Sequence, residues 1–132
     1  MVQYEDGARS AWHLPIMVKH IAFTFYQVKD MARARRFYEG GLGLKAAKDF
    51  RGEWVEYHLA NGCFALTTMA TGTKPGSGGN FAFEVADVDK AVAALRRRKA
   101  PVKVPAFSTP VCRMAVVSDP DGNGVGLHAK KG

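Results

Sequence analysis

Two polar side chains in the first half of the chain, Glu56 and His58, are spaced two residues apart in a stretch where apolar and polar residues alternate. Side chains two apart on a strand point to the same face, so Trp54, Glu56 and His58 are predicted to share one face of a sheet. A carboxylate beside an imidazole is suited to general acid–base work or to holding a divalent metal. The alternation also fits an alternative in which this is simply the wet face of an antiparallel sheet.

A second candidate group lies in the other half of the chain, where Cys112 adjoins Arg113. The neighbouring guanidinium could lower the thiol pKa and make Cys112 reactive or substrate-contacting, whereas a buried inert thiol is the alternative. Cys63 lies in an apolar stretch and is assigned to the inert class. Arg113 and Asn80 are suited to binding a polar or carboxylated small molecule.

The elements that must position these residues form two similar halves. In the first half, aromatic and β-branched residues predict a strand at 20–25, and Asp30 is placed as the N-cap of an amphipathic helix that Gly40 and Gly41 end. The short apolar segment Leu42-Gly43-Leu44, an alternating strand at 53–59, a turn at Asn61 and Gly62, and an apolar strand at 63–68 follow. The order is β-α-β-β-β.

The second half repeats this order about 60 residues later. A strand at 80–85 precedes a helix led by Asp87 and ended by Pro101, and short strands are predicted at 114–117 and 125–128. The stretch 105–110 is interrupted by prolines. The fold class is therefore predicted as α+β, with two βαβββ modules forming a pseudo-symmetric pair.

The domain boundaries follow from the breaks in these patterns. Residues 1–15 are predicted to be an irregular leader, and residues 16–132 a single domain. Within it the modules span 16–69 and 80–129, joined by a Gly-rich linker at 70–79.

Composition limits the function classes. The chain of 132 residues carries a net charge of +7, but six of its basic residues lie in the run 96–99 and the tail 130–131, and the remainder is almost neutral. A basic helix end is favoured by the helix dipole, and no aromatic interleaving accompanies it, so no specific nucleic-acid binding is predicted. The absence of a long apolar stretch predicts no membrane association and a soluble, cytoplasmic protein.

The module order and two further strings resemble the vicinal oxygen chelate superfamily, which includes glyoxalase I, bleomycin-resistance proteins and extradiol dioxygenases. One string runs from Asp30 through Phe37-Tyr38 to Leu42-Gly43-Leu44, and the other is Asp119-Pro120-Asp121-Gly122-Asn123 before Leu127. The resemblance implies that the two sheets curl into a cup, that a divalent metal in the cup chelates vicinal substrate oxygens, and that the chain forms a homodimer.

The resemblance also implies four metal-ligand positions on the first and last strands of each module. They map onto His20, or Phe23 in the other possible register, and onto Ala65, Asn80 and Gly126. Alanine and glycine offer no side-chain donor, so no standard metal and no cofactor are predicted. A divergent metal-dependent lyase, isomerase or dioxygenase that uses His20 across the cup from Glu56 and His58 is the alternative.

The sequence thus predicts a protein that binds a small polar or aromatic molecule in the cup, and it leaves open whether the protein is an enzyme. No catalytic residue is assigned. The candidate ligand-binding residues are His20, Phe23, Trp54, Glu56, His58, Asn80, Cys112 and Arg113.

Overall fold

The structure is a computed structural model, and it describes residues 19–71, 74–77 and 79–131. The predicted leader at 1–15 lies outside these residues. Among the described residues, no helix is both long enough and apolar enough to span a membrane.

The first module has the predicted βαβββ order. Its elements are β1 (Thr24–Gln27), α1 (Met31–Arg35) with a π-helical continuation (Arg36–Gly41), β2 (Ala46–Phe50), β3 (Trp54–Leu59) and β4 (Gly62–Thr67). The sheet order is β1-β4-β3-β2, with β1 parallel to β4 and the other pairs antiparallel.

The second module repeats this arrangement. Its elements are β5 (Asn80–Glu84), α2 (Val88–Arg97), β6 (Val102–Ser108), β7 (Cys112–Ser118) and β8 (Gly124–Lys130). The sheet order is β5-β8-β7-β6, with β5 parallel to β8. The predicted α+β class with two βαβββ modules is confirmed.

Both helices begin where the sequence predicts. The Asp30 carboxylate accepts the N–H of Arg33 at 3.0 Å, and the Asp87 carboxylate accepts the N–H of Lys90 at 3.0 Å. Each aspartate satisfies an N–H group that the first helical turn leaves without a partner. The helices of both modules therefore begin with the same aspartate N-cap.

Two predicted strands need correction. β1 begins at Thr24 rather than at residue 20, so His20 precedes the strand. The proline-containing stretch is a strand after all, because β6 includes Pro105. Proline is tolerated there because β6 is the edge of its sheet and its register shifts between Val104 and Phe107.

The two modules contact each other through their helix-covered faces. Tyr26 on β1 stacks on Phe81 of β5 with ring centroids 4.7 Å apart, and the Tyr38 hydroxyl donates to the Asp119 carboxylate at 2.8 Å. Burial and the nearby carboxylate raise the pKa of Tyr38, so the hydroxyl remains a donor. Both helices and both sheets share one core. The opposite face of each sheet, called its outer face below, is left outside that core.

Candidate functional site

The outer face of the first module carries an aromatic cluster. The ring of Trp54 lies 5.1 Å from that of Phe23 and 5.8 Å from that of Phe25, measured between centroids. Phe23 is 44% exposed, and Phe50, the cross-strand partner of Trp54 on β2, is 53% exposed. Two of the candidate residues, Phe23 and Trp54, therefore lie side by side, and the cluster leaves apolar ring surface exposed.

Glu56 and His58 lie beside this cluster on the same face. The indole Nε1 of Trp54 donates to Glu56 Oε2 at 2.8 Å, and His58 Nε2 lies 3.2 Å from Glu56 Oε1. The hydrogen bond from Trp54, followed by that from His58, lowers the pKa of Glu56. The structure thus brings the three residues together and holds Glu56 as a carboxylate with both oxygens engaged.

Cys63 joins this group, although the sequence assigns it to the inert class. It is the cross-strand partner of His58, and one ligand atom from each of Glu56, His58 and Cys63 lies within 4.8 Å of the others. Burial, and then the Glu56 carboxylate, raise the pKa of the Cys63 thiol. The signal that could have found it is the predicted turn, since closing the hairpin at Leu59 and Gly62 pairs His58 with Cys63.

The outer face of the second module is small and aliphatic at the equivalent positions. Ala82 of β5, Gly126 of β8 and Val116 of β7 form one cross-strand row. A Cβ added to Gly126 would lie 2.9 Å from the Cβ of Ala82, so the two strands are closely packed there. Further along this face, His128 Nδ1 lies 2.7 Å from a Glu84 carboxylate oxygen.

The other predicted site residues lie apart from the aromatic cluster. Arg113 is on the helix-covered side, where its guanidinium donates twice to Asp89 of α2, at 2.8 Å each. Cys112 is buried, with its sulfur 3.2 Å from the Thr109 hydroxyl. His20 is exposed ahead of β1, and Asn80 begins β5 opposite Gly124.

Among the cavities that the described residues line, a pair lies at opposite parts of the fold. One of about 330 Å³ lies between the β3–β4 hairpin and β5, and its lining includes Cys63, Phe64 and Phe83. The other, of about 480 Å³, lies between the two helical segments; four basic side chains line it, from Arg33, Arg36, Arg98 and Lys99. Part of the basic run at 96–99 therefore folds against the first module.

A sequence model of the glyoxalase/bleomycin resistance protein/dioxygenase superfamily matches residues 18–127. The chain belongs to this superfamily. No curated protein sequence is detectably similar to it.

Solved structures of the superfamily show the same architecture. TnmS3, an antibiotic binding protein from Streptomyces sp. CB03234, is 28% identical, with a TM-score of 0.74 over 89% of this chain and all of its own. A glyoxalase/bleomycin resistance protein from the same organism is 31% identical, with a TM-score of 0.68 over 80% of this chain and 96% of its own. The lactoylglutathione lyase of Agrobacterium tumefaciens is 20% identical, with a TM-score of 0.67 over 86% of this chain and 95% of its own, and shares the fold.

The metal that the superfamily resemblance implies does not fit its usual place in this chain. The β1 residue paired with Ala65 is Phe25, and the β5 residue paired with Gly126 is Ala82. The register therefore puts Phe25 in the row of Ala65, where His20 or Phe23 was expected, and Ala82 in the row of Gly126, where Asn80 was expected. Phe25, Ala65 and Ala82 have no donor atom in their side chains, and Gly126 has no side chain, so these positions offer a divalent ion no ligands.

Proposed function

We propose that the protein binds a small polar or aromatic molecule in a cup built on the outer face of the first module, without the metal common in the superfamily. The observation that carries this proposal is the half-exposed cluster of Phe23, Phe25 and Trp54 beside an ionised carboxylate. Binding pockets generally combine apolar walls with a few placed polar groups.

The polar edge of the cluster favours a ligand with a hydroxyl or amide donor. Glu56 offers carboxylate oxygens, and His58, half of whose side chain is exposed, can donate or accept a hydrogen bond. The rings of Phe23 and Phe50 present flat surface to an aromatic ligand. Similarity to TnmS3, described as an antibiotic binding protein, supports a small-molecule-binding role for this chain.

We also propose that a second copy of the chain completes the cup. Within one chain the modules use their helix-covered faces against each other, and both outer faces keep exposed apolar residues, such as Phe23, Phe50 and Phe107. A two-fold pair could set the first module's outer face against the second module's outer face of its partner. We place this dimer in the cytoplasm.

Calorimetric titration with a panel of planar aromatic compounds bearing hydroxyl or carboxyl groups tests the binding proposal. We expect saturable binding by at least one compound, weakened at least about tenfold by Trp54→Ala, because the variant removes the ring and frees Glu56. The matched control is Val111→Ala, which truncates an exposed side chain on the β6–β7 loop. Equal affinities for the wild type, Trp54→Ala and Val111→Ala would contradict the proposal.

Sedimentation equilibrium tests the dimer. We expect a dimer at micromolar concentration, and we expect Phe50→Glu to shift it towards monomer because the charge enters an apolar contact. A monomer at all concentrations, or a dimer that Phe50→Glu and Phe107→Glu both leave intact, would overturn the proposed arrangement.

A further inference from the structure

The β3–β4 hairpin places three different metal-ligating side chains on one face. His58 and Cys63 are cross-strand partners, and Glu56 stands two residues before His58 on the same side. None of the three occupies one of the four positions at which the superfamily resemblance places a metal ligand, although Glu56 is the cross-strand neighbour of one of them, Ala65. We infer that Glu56, His58 and Cys63 form a binding site for a borderline transition metal ion such as Zn²⁺ or Co²⁺.

The chemistry of the donors selects this class of metal. A thiolate and an imidazole suit Zn²⁺, Co²⁺ and similar ions, whereas Mg²⁺ and Ca²⁺ take oxygen ligands. Three protein ligands leave a fourth position open on a tetrahedral ion, as in zinc sites that bind an exogenous ligand. Of the three residues, Cys63 also lines the cavity of about 330 Å³.

The distances between the ligand atoms of Glu56, His58 and Cys63 can be compared with the distances between ligands on one tetrahedral ion. Ligands bound at about 2.0–2.1 Å in tetrahedral geometry are about 3.3 Å apart, and His58 Nε2 lies 3.2 Å from Glu56 Oε1. The sulfur of Cys63 is within 4.8 Å of both other ligand atoms. A Zn–S bond of about 2.3 Å requires a separation of about 3.6 Å, so the sulfur must move towards the other two ligand atoms when the ion binds.

The surroundings orient the carboxylate for this role. Trp54 Nε1 holds Glu56 Oε2, which leaves Oε1 directed towards His58, and such outer hydrogen bonds fix the ligands of metal sites. Glu56 is also the cross-strand partner of Ala65. The carboxylate missing from β4 thus stands one strand away, on β3.

One neighbouring charge opposes the metal. Lys48 of β2 is the cross-strand partner of Glu56, and its charge acts on both Glu56 and Cys63. Removing this charge is expected to tighten metal binding, because the ammonium competes for the carboxylate. That response would not arise from adventitious binding elsewhere on the chain.

Titration of the purified, metal-stripped full chain with Co²⁺ or Zn²⁺ alone tests the inference. We expect about one ion per chain and, with Co²⁺, a thiolate-to-metal charge-transfer band. Cys63→Ser should abolish the band and weaken binding at least about tenfold, and His58→Asn should weaken it similarly. The matched control is Cys112→Ser, which removes the other thiol and should leave the band intact.

The inference does not rest on the proposed small-molecule binding, because the metal itself is the probe. Lys48→Met should tighten Zn²⁺ binding by severalfold. Weaker binding in Lys48→Met, no band with Co²⁺, or a band that survives Cys63→Ser would each overturn the site. Circular dichroism of each variant separates loss of ligands from loss of fold.

Discussion

The two modules share a backbone plan but differ in what their outer faces carry. In the first module Phe25 and Glu56 are the cross-strand partners of Ala65, and in the second module Ala82 and Val116 are those of Gly126. Phe25 is therefore equivalent to Ala82, and Glu56 is equivalent to Val116. The neighbouring row sets Cys63 against a glycine, Gly124. At each of the three positions the first module has an aromatic or functional side chain and the second has a smaller or inert one.

The two modules therefore differ in the kind of side chain that each outer face provides. The first module supplies rings, a carboxylate, an imidazole and a thiol, whereas the second supplies small side chains and closely packed strands at the same positions. A pseudo-symmetric fold therefore need not have a symmetric site, since function depends on the side chains placed on the scaffold. The proposed binding chemistry is concentrated in one half of the chain.

The largest predicted effect comes from the contact that joins the modules. Asp119 accepts the Tyr38 hydroxyl, the side-chain amide of Asn123, and the backbone N–H groups of Asp121 and Asn123. Asp119→Ala would leave these donors unpaired in a buried site and should lower the free energy of unfolding by about 3 kcal/mol or more. Urea denaturation of the wild type and the variant measures this change in the free energy of unfolding.

The control for Asp119 is the helix-capping Asp87 of the same module. Asp87→Ala removes one exposed capping interaction and should cost about 1 kcal/mol. If the two variants cost the same, Asp119 would be no more than a turn residue, and the contact with Tyr38 would not hold the modules together.

An intermediate effect is expected where the two outer faces differ by one methyl group. Ala65 is accommodated in the first module, but a Cβ at Gly126 would come within 2.9 Å of the Ala82 Cβ. Gly126→Ala should therefore destabilise the fold by about 1–3 kcal/mol through overpacking. Thermal unfolding checks this, with Gly62→Ala as control because a Cβ there meets nothing within 4 Å. A neutral Gly126→Ala would show that the strands can separate freely.

The sequence predicts the helix starts and the face of β3 correctly, but it does not predict the register between neighbouring strands. Asp30 and Asp87 signal the helix starts because capping is a short-range interaction. The shared face of Trp54, Glu56 and His58 follows from strand periodicity alone. Both successes depend on residues close together along the chain.

The strand register explains the remaining differences. Which residue of β1 lies beside Ala65 depends on pairing with β4, about 40 residues away, and composition does not fix that register. The same holds for Arg113, whose partner Asp89 lies on a helix packed over its strand. The sequence does not single out Cys63, because the role proposed for it depends on its cross-strand partner His58.

The smallest predicted effect compares the two carboxylate–histidine pairs, Glu56–His58 and Glu84–His128. Hydrogen bonding from Trp54 and then from His58 lowers the pKa of Glu56 below its ordinary value, and hydrogen bonding chiefly from His128 lowers that of Glu84. A carboxyl with a lowered folded-state pKa stabilises the fold above its unfolded pKa and loses that contribution as pH falls through the folded value.

Glu56→Gln should therefore destabilise the chain at neutral pH, by no more than about 1 kcal/mol because the pair is partly solvated, with the difference from wild type vanishing as pH falls through the lowered folded-state pKa of Glu56. In a Trp12→Phe background, the Trp54 emission should titrate with the same low midpoint, since its indole donates to Glu56. Glu84→Gln is the control, because it removes the other pair without changing that emission. If the Trp54 emission did not respond to acid, or responded equally in Glu56→Gln, the indole would not be reporting on Glu56, and the polar edge assigned to the first module would lose its support.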